Sequence, residues 1–245
     1  MDPKTKRMLW FAWAGLTYES VVREITYDAE MQQLLMLPVD ELLGLRGSTP
    51  LGRILIGAGA GGAGPPPPPG PLPLFTSNES SFDVEATVTL PASGAPTSFG
   101  MAILAQHAPV AGEAVAGNAS AVLQVNVSAA AAADKTRFVS MSVFSQGWSQ
   151  QGCKPVDAAS CHTISYNFTL PAAQSEINVR CLVDDAPPTS GGLVELFAAD
   201  GRGVISIPVT SQHGASAGVY MLGGGGGGGG TNAARMNATA WAMCM

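Results

Sequence analysis

The sequence predicts an all-β fold, and three observations carry that expectation. Residues 177–209 hold three runs of period two: Ile177, Val179, Cys181 and Val183 alternate with Asn178, Arg180 and Leu182; Leu193, Glu195 and Phe197 oppose Val194 and Leu196; Ile205, Ile207 and Val209 return. Asp200-Gly201 separates the last two runs and is a hairpin signal, because both residues tolerate φ > 0. The same alternation recurs upstream at Phe82–Leu90, Ala121–Val127 and Val139–Phe144.

The bulk properties narrow the function classes. With 245 residues, 46% of them hydrophobic, the chain can bury one large β core. A net charge of −6 argues against nucleic acid, which demands clustered Lys and Arg. No apolar run approaches the roughly 18 residues of a membrane span.

Five of the seven asparagines sit in glycosylation sequons: Asn78, Asn118, Asn126, Asn167 and Asn237. That points to the secretory pathway. Cys153 and Cys161, in a polar segment, are candidates for a small disulfide loop of the kind secreted β-domains carry. Cys181 reads as buried in its strand and Cys244 as lying at a loose end. Lys4, Lys6 and Arg7 precede MLWFAWAGL as in a signal peptide, but no small-x-small cleavage site follows. The stretch is read instead as a strand bearing Trp10 and Trp13.

Taken in order, Ile25 and Tyr27 alternate with Thr26 as a strand would, and Asp28 starts a turn. Pro38 suits the first turn of a helix, Leu42 and Leu45 share one face of it, and Gly47 ends it. Residues 48–73 read as a low-complexity linker or insertion. Gly57, Gly59 and Gly62 imitate a dinucleotide-binding fingerprint, but Pro65–Pro69 cannot supply the helix that must follow. Residues 74–245 continue as strands: Phe99 to Leu104, Tyr166 to Leu170 and Gly218 to Leu222 join those above. Eight glycines, Gly223–Gly230, read as a hairpin expansion.

Several blocks carry a resemblance. Asp184, Val194, Glu195, Phe197, Gly201 and Arg202 fill a pattern that resembles the signature near the end of glycoside hydrolase family 32, the invertases and fructan hydrolases. APPTSGG at 186–192 stands where that family has a single Ser, and reads as a bulging loop. Residues 4–46 are similar to the end of the family's catalytic propeller and its exit. Pro38, Val39, Glu41, Leu42, Leu45 and Arg46 match the exit pattern, although Val22 stands where the family has Pro. FDVEATVTL resembles the opening sandwich strand, Phe99-Gly100 a later one, and Trp241-Ala-Met243 the closing one.

The resemblance implies an architecture and a division of labour. Residues 1–37 would be the last strands of an incomplete β-propeller, 38–47 a linker helix, and 74–245 a β-sandwich. Asp184, Glu195, Phe197 and Arg202 would be structural motif residues. The whole enzyme would cleave β-fructosidic bonds of sucrose or fructans by the retaining two-carboxylate route. Sucrose or fructan would be met through a propeller absent from this chain, and the sandwich would serve stability, oligomerisation or access to the site.

The family's three carboxylate motifs, W-M-N-D-P-N-G, R-D-P and E-C, are not in the sequence. No catalytic residue is therefore assigned, and the chain alone is expected to be inactive. His107, His162 and His213 lie in loops without a nucleophile motif around them. Cys153, Cys161, His162 and Cys181 lack zinc-finger spacing, so no metal or cofactor is assigned. The alternative is a non-catalytic secreted β-sandwich that binds carbohydrate or a protein partner.

Overall fold

A computed structural model describes residues 7–14, 18–56, 71–77, 79–91, 94–105, 119–129, 136–145, 163–185, 192–209, 217–222 and 235–244. The architecture is all-β, as expected. The first strands are short: β1 (Leu9–Trp10), β2 (Trp13–Ala14), β3 (Tyr18–Glu19), β4 (Arg23–Asp28) and β5 (Gln33–Pro38). β1, β4 and β5 form a small antiparallel sheet, with Arg23 opposite both Trp10 and Pro38. The β4–β5 turn is built by Asp28, whose Oδ1 accepts from the backbone N–H of Glu30 and Met31 at 3.0 and 3.1 Å.

Twelve longer strands make two six-stranded antiparallel sheets. The first sheet contains β7 (Leu72–Ser77), β9 (Thr97–Ala105), β10 (Ala119–Val127), β11 (Thr136–Ser145), β12 (Thr163–Pro171) and β16 (Ala217–Leu222), in the order β12-β11-β10-β9-β16-β7. The second contains β6 (Arg46–Ile56), β8 (Ser81–Thr89), β13 (Glu176–Asp185), β14 (Gly192–Ala198), β15 (Gly203–Val209) and β17 (Arg235–Met243). Its order is β15-β14-β13-β8-β17-β6.

The sheets pack into a sandwich because their facing residues are the alternating apolar ones. Phe82, Val84, Val88, Ile177, Val179, Cys181, Leu196 and Ile207 from the second sheet meet Phe99, Met101, Leu123, Val125, Met141 and Leu170 from the first in one buried cluster. Each such side chain contributes about 1.5–3 kcal/mol by leaving water.

The outer face of the second sheet departs from a half-buried pattern. Every residue of β14 is buried. Leu182, Phe197 and Met243 form a second cluster on that face, covered by Val21, Leu42, Leu45 and Val204. The described residues before Arg46 form a third layer on this face, through Val21, Arg23, Leu42 and Leu45.

Two sequence expectations are corrected here. The helix expected over 38–47 is a 3-10 helix at Asp40–Leu45. Pro38 closes β5, and Arg46 is extended at φ −68°, ψ 134°, opening β6. The linker expected at 48–73 does not begin at 48. Residues 46–56 are an eleven-residue strand paired with β17, whose Leu51 and Ile54 pack on the core and whose Ile56 is buried. Small residues near the run masked its alternation. The sandwich therefore starts with Arg46 rather than Leu74.

Candidate functional site

Three of the motif residues, Glu195, Phe197 and Arg202, meet at the seam between the N-terminal layer and the sandwich. Alternation along β14 turns Val194 and Leu196 into the core and Glu195 and Phe197 outward, beneath the third layer. The Glu195 carboxylate accepts from the Val21 backbone N–H at 2.6 Å, from Ser206 Oγ at 2.8 Å, and from the Arg23 guanidinium. Arg23 and Glu195 side chains are 6% and 2% exposed, so the pair is cut off from water. The guanidinium also donates to Ser206 Oγ and sits between two rings, 5.3 Å from the Trp10 centroid and 5.2 Å from Phe197. A carboxylate so enclosed and so fully bonded is a latch, because no substrate reaches it.

The β14–β15 turn is the second fastening. Asp200 and Gly201 have φ of 56° and 84°, and Arg202 N donates to Ala199 O at 3.2 Å, as a primed hairpin turn requires. A Cβ on Gly201 would stand 2.6 Å from Met36 O, so only glycine lets β5 lie on the turn. Met36 N–H then donates to Gly201 O at 3.0 Å. Arg202 donates to Ala199 O at 3.1 Å and pairs with Asp28 of the β4–β5 turn. The Met31 backbone N–H, and after it Arg202, hold the Asp28 carboxyl below its ordinary value.

A third polar cluster lies within the second sheet itself, on its outer face where β6 leaves the 3-10 helix. Asp83 on β8 is fully buried on the outer face and accepts from Arg46 Nε at 2.7 Å and from Arg180 Nη2 at 2.7 Å. Arg46 also pairs with Glu85, and its guanidinium stacks 4.1 Å over Trp241. Burial works against the Arg46 charge, but Glu85 and Asp83 outweigh it and raise its pKa.

The sequence-assigned residues divide unevenly. Glu195, Phe197 and Arg202 lie in the seam. Asp184 does not: it is exposed near the end of β13 and accepts from Ser81 Oγ at 3.0 Å. Of the sequons, Asn126, Asn167 and Asn237 are exposed on β10, β12 and β17. Asn78 and Asn118 lie outside the described residues, as do Cys153, Cys161, Trp148, all three histidines and the 186–191 loop. Cys181 is buried, which together with Asp83 pushes its thiol far above the ordinary value. Cys244 is exposed.

Sequence reasoning did not find Asp83, Arg180 and Ser206. The available signal was charge on the outward face of strongly apolar strands, Asp83 between Phe82 and Val84 and Arg180 between Val179 and Cys181.

Two clefts flank the seam. One, of about 360 Å³, is lined by Pro38, Asp40, Glu85, Asn178, Phe197 and Asp200. The other, of about 450 Å³, runs between β5 and β12, with Gln33, Met36, Tyr166, Asn167, Phe168 and Arg202 on its walls. Among the described residues no group of three or more His, Cys, Asp or Glu could hold a metal ion, and no helix is long and apolar enough to cross a membrane.

No protein-family profile and no curated protein matches this chain. Solved structures do. Fructan 1-exohydrolase IIa from Cichorium intybus superposes with a TM-score of 0.55 at 16% identity over 92% of this chain. A variant of that enzyme in complex with 1-kestose gives 0.57 at 19% identity over the same share. Exo-inulinase from Aspergillus awamori gives 0.51 at 12%. This chain spans only 41% of the first two and 36% of the third. At such identities the likeness concerns the fold. That fold, a two-sheet sandwich with a strand-built N-terminal layer, agrees with the expected C-terminal portion of family 32.

Proposed function

We propose that this chain is the non-catalytic C-terminal region of a β-fructofuranosidase-type glycoside hydrolase, and that its work is to anchor and brace the domain that carries the chemistry. The observation behind the reading is the seam. Glu195, Phe197, Gly201 and Arg202, four residues of the family-like signature, all act on the N-terminal layer, and the one carboxylate among them, Glu195, is enclosed. Retaining glycosidases need two carboxyl groups about 5–5.5 Å apart flanking one bond. The buried carboxylates Glu195, at the seam, and Asp83, within the second sheet, are each paired with arginines. Fructosides enter through the resemblance and through neighbours named as fructan exohydrolase and exo-inulinase.

Passage through the secretory pathway belongs to the same proposal, supported by exposed sequon asparagines at Asn126, Asn167 and Asn237. Purified chain incubated with sucrose or inulin should release no fructose. Fructose release that tracks the pure protein would overturn the reading.

A further inference from the structure

We propose that Asn237 is an N-glycosylation site whose first sugar covers Leu55, an inference that rests on the secretory reading above. Three sequon asparagines fall among the described residues, and the strand register gives each different neighbours. Asn126 on β10 stands between Ser98 of β9 and Ser140 of β11. Asn167, on the rim strand β12, stands opposite Ser140. Asn237 on β17 stands between Thr87 of β8 and Leu55 of β6. Of the three, it is the one set directly opposite a large apolar side chain.

Leu55 is the side chain that calls for a cover. It is 75% exposed, more than any other large hydrophobic residue among those described. β6 ends the second sheet, so Leu55 has a cross-strand neighbour on one side only, and that neighbour is Asn237. An apolar side chain on an open strand rim invites pairing with another molecule.

The asparagine is free to take the sugar. Asn237 and Thr239, the two residues a glycosyl-transferring enzyme reads, share the outward face because Met236, Ala238 and Ala240 turn into the core. Asn237 is exposed, and no hydrogen bond among the described residues holds its carboxamide. Asn178, on the same face but outside any sequon, is engaged at both atoms: it accepts from Thr87 Oγ1 at 3.0 Å and donates to Asp200 Oδ1 at 3.2 Å. Thr87 is thereby occupied too. The polar flank of Asn237 is engaged and the apolar flank is bare.

In the transfer, Asn237 Nδ2 gives one proton to a base of the transferring enzyme and bonds the anomeric carbon of N-acetylglucosamine. The bond that breaks joins this carbon to the diphosphate of a lipid-linked oligosaccharide donor, which leaves. Both backbone ladders of β17 survive, because the side chain stands out of the sheet. Directly opposed residues carry Cβ atoms about 4.5–5.5 Å apart, so the first ring and its acetyl methyl reach Leu55. Apolar surface withdrawn from water stabilises in proportion to its area.

The test compares the full chain, Asn237→Gln, Leu55→Thr and the double variant, each secreted behind an added leader from a glycosylating eukaryotic host. Peptide mass mapping should find the glycan on Asn237. Asn237→Gln should lower the thermal midpoint by about 2–4 °C, and the loss should vanish in the Leu55→Thr background. In sugar-free bacterial protein the same change should leave the midpoint where it was.

An unchanged midpoint in secreted Asn237→Gln overturns the proposal. So does a loss that survives Leu55→Thr, which would be a general effect of the sugar on the unfolded chain. Asn237 found bare beside sugar on Asn126 or Asn167 overturns this site alone. If all three are bare, the secretory reading falls with it.

Discussion

Glu195 and Arg23 are 172 positions apart and form an ion pair sealed from solvent, with Ser206 bonded to both. One lies in the sandwich and the other in the small N-terminal sheet, so the pair joins that sheet to the outer face of the sandwich. Removing one member strands the other, at a cost of about 3–5 kcal/mol. Glu195→Ala should lower stability by that order in chemical denaturation. The double replacement Arg23→Met with Glu195→Leu should recover much of the loss, because no charge is then left unpaired. A single variant as stable as the parent would show that the pair fastens nothing.

The turn contact predicts a local effect. Gly201→Ala places a Cβ against Met36 O at a φ of 84°, which costs about 1–3 kcal/mol of backbone strain. Amide hydrogen exchange at Met36 and Val39 should accelerate while that of the core strands β10 and β11 is unaltered. Uniform acceleration would mean that the layer and the sandwich unfold together.

Acid should loosen the same fastening. The native state holds the Asp28 carboxyl below its ordinary value through the Met31 N–H and then Arg202. Its contribution is complete above the unfolded value, about 4, and is lost as pH falls through the lower folded value. Stability of the wild type should therefore drop below about pH 4 more steeply than that of Asp28→Asn, measured by denaturant midpoints from pH 6 to pH 2. Parallel curves would remove Asp28 from the account.

Thiol chemistry separates two cysteines. Burial, aided by Asp83, keeps the Cys181 thiol protonated, whereas Cys244 is exposed. Peptide mapping after brief alkylation of native protein should find Cys244 labelled and Cys181 untouched until denaturant is added.

Much of the sandwich was legible because alternation and core-facing geometry are the same fact seen twice. Phe82, Val84, Ala86 and Val88 point inward for the reason that they alternate. Burial of both faces of β14 was not legible, since Glu195 reads locally as a solvent-facing residue. Only a partner 172 positions away explains its 2% exposure. Asp83 failed in the same way, its two arginines arriving from β6 and β13. The strand at 46–56 was hidden by its neighbourhood, where Gly, Ala and Pro dominate the window. The β5–β12 groove left no trace in the sequence, because Gln33 and Tyr166 are ordinary residues until two distant strands bring them together.

The sheet order β8-β17-β6 sets a timetable for synthesis. β17 is wedged between two strands that precede it by more than a hundred residues, pairing Ala238 with Ala86 on one side and Ile54 on the other. Until Met243 leaves the ribosome, β6 and β8 each present an unpaired rim. The nascent polypeptide must wait, half zipped, for its final segment, and a ribosome that stalls within the glycine run at 223–230 would leave two open seams for chaperones to guard.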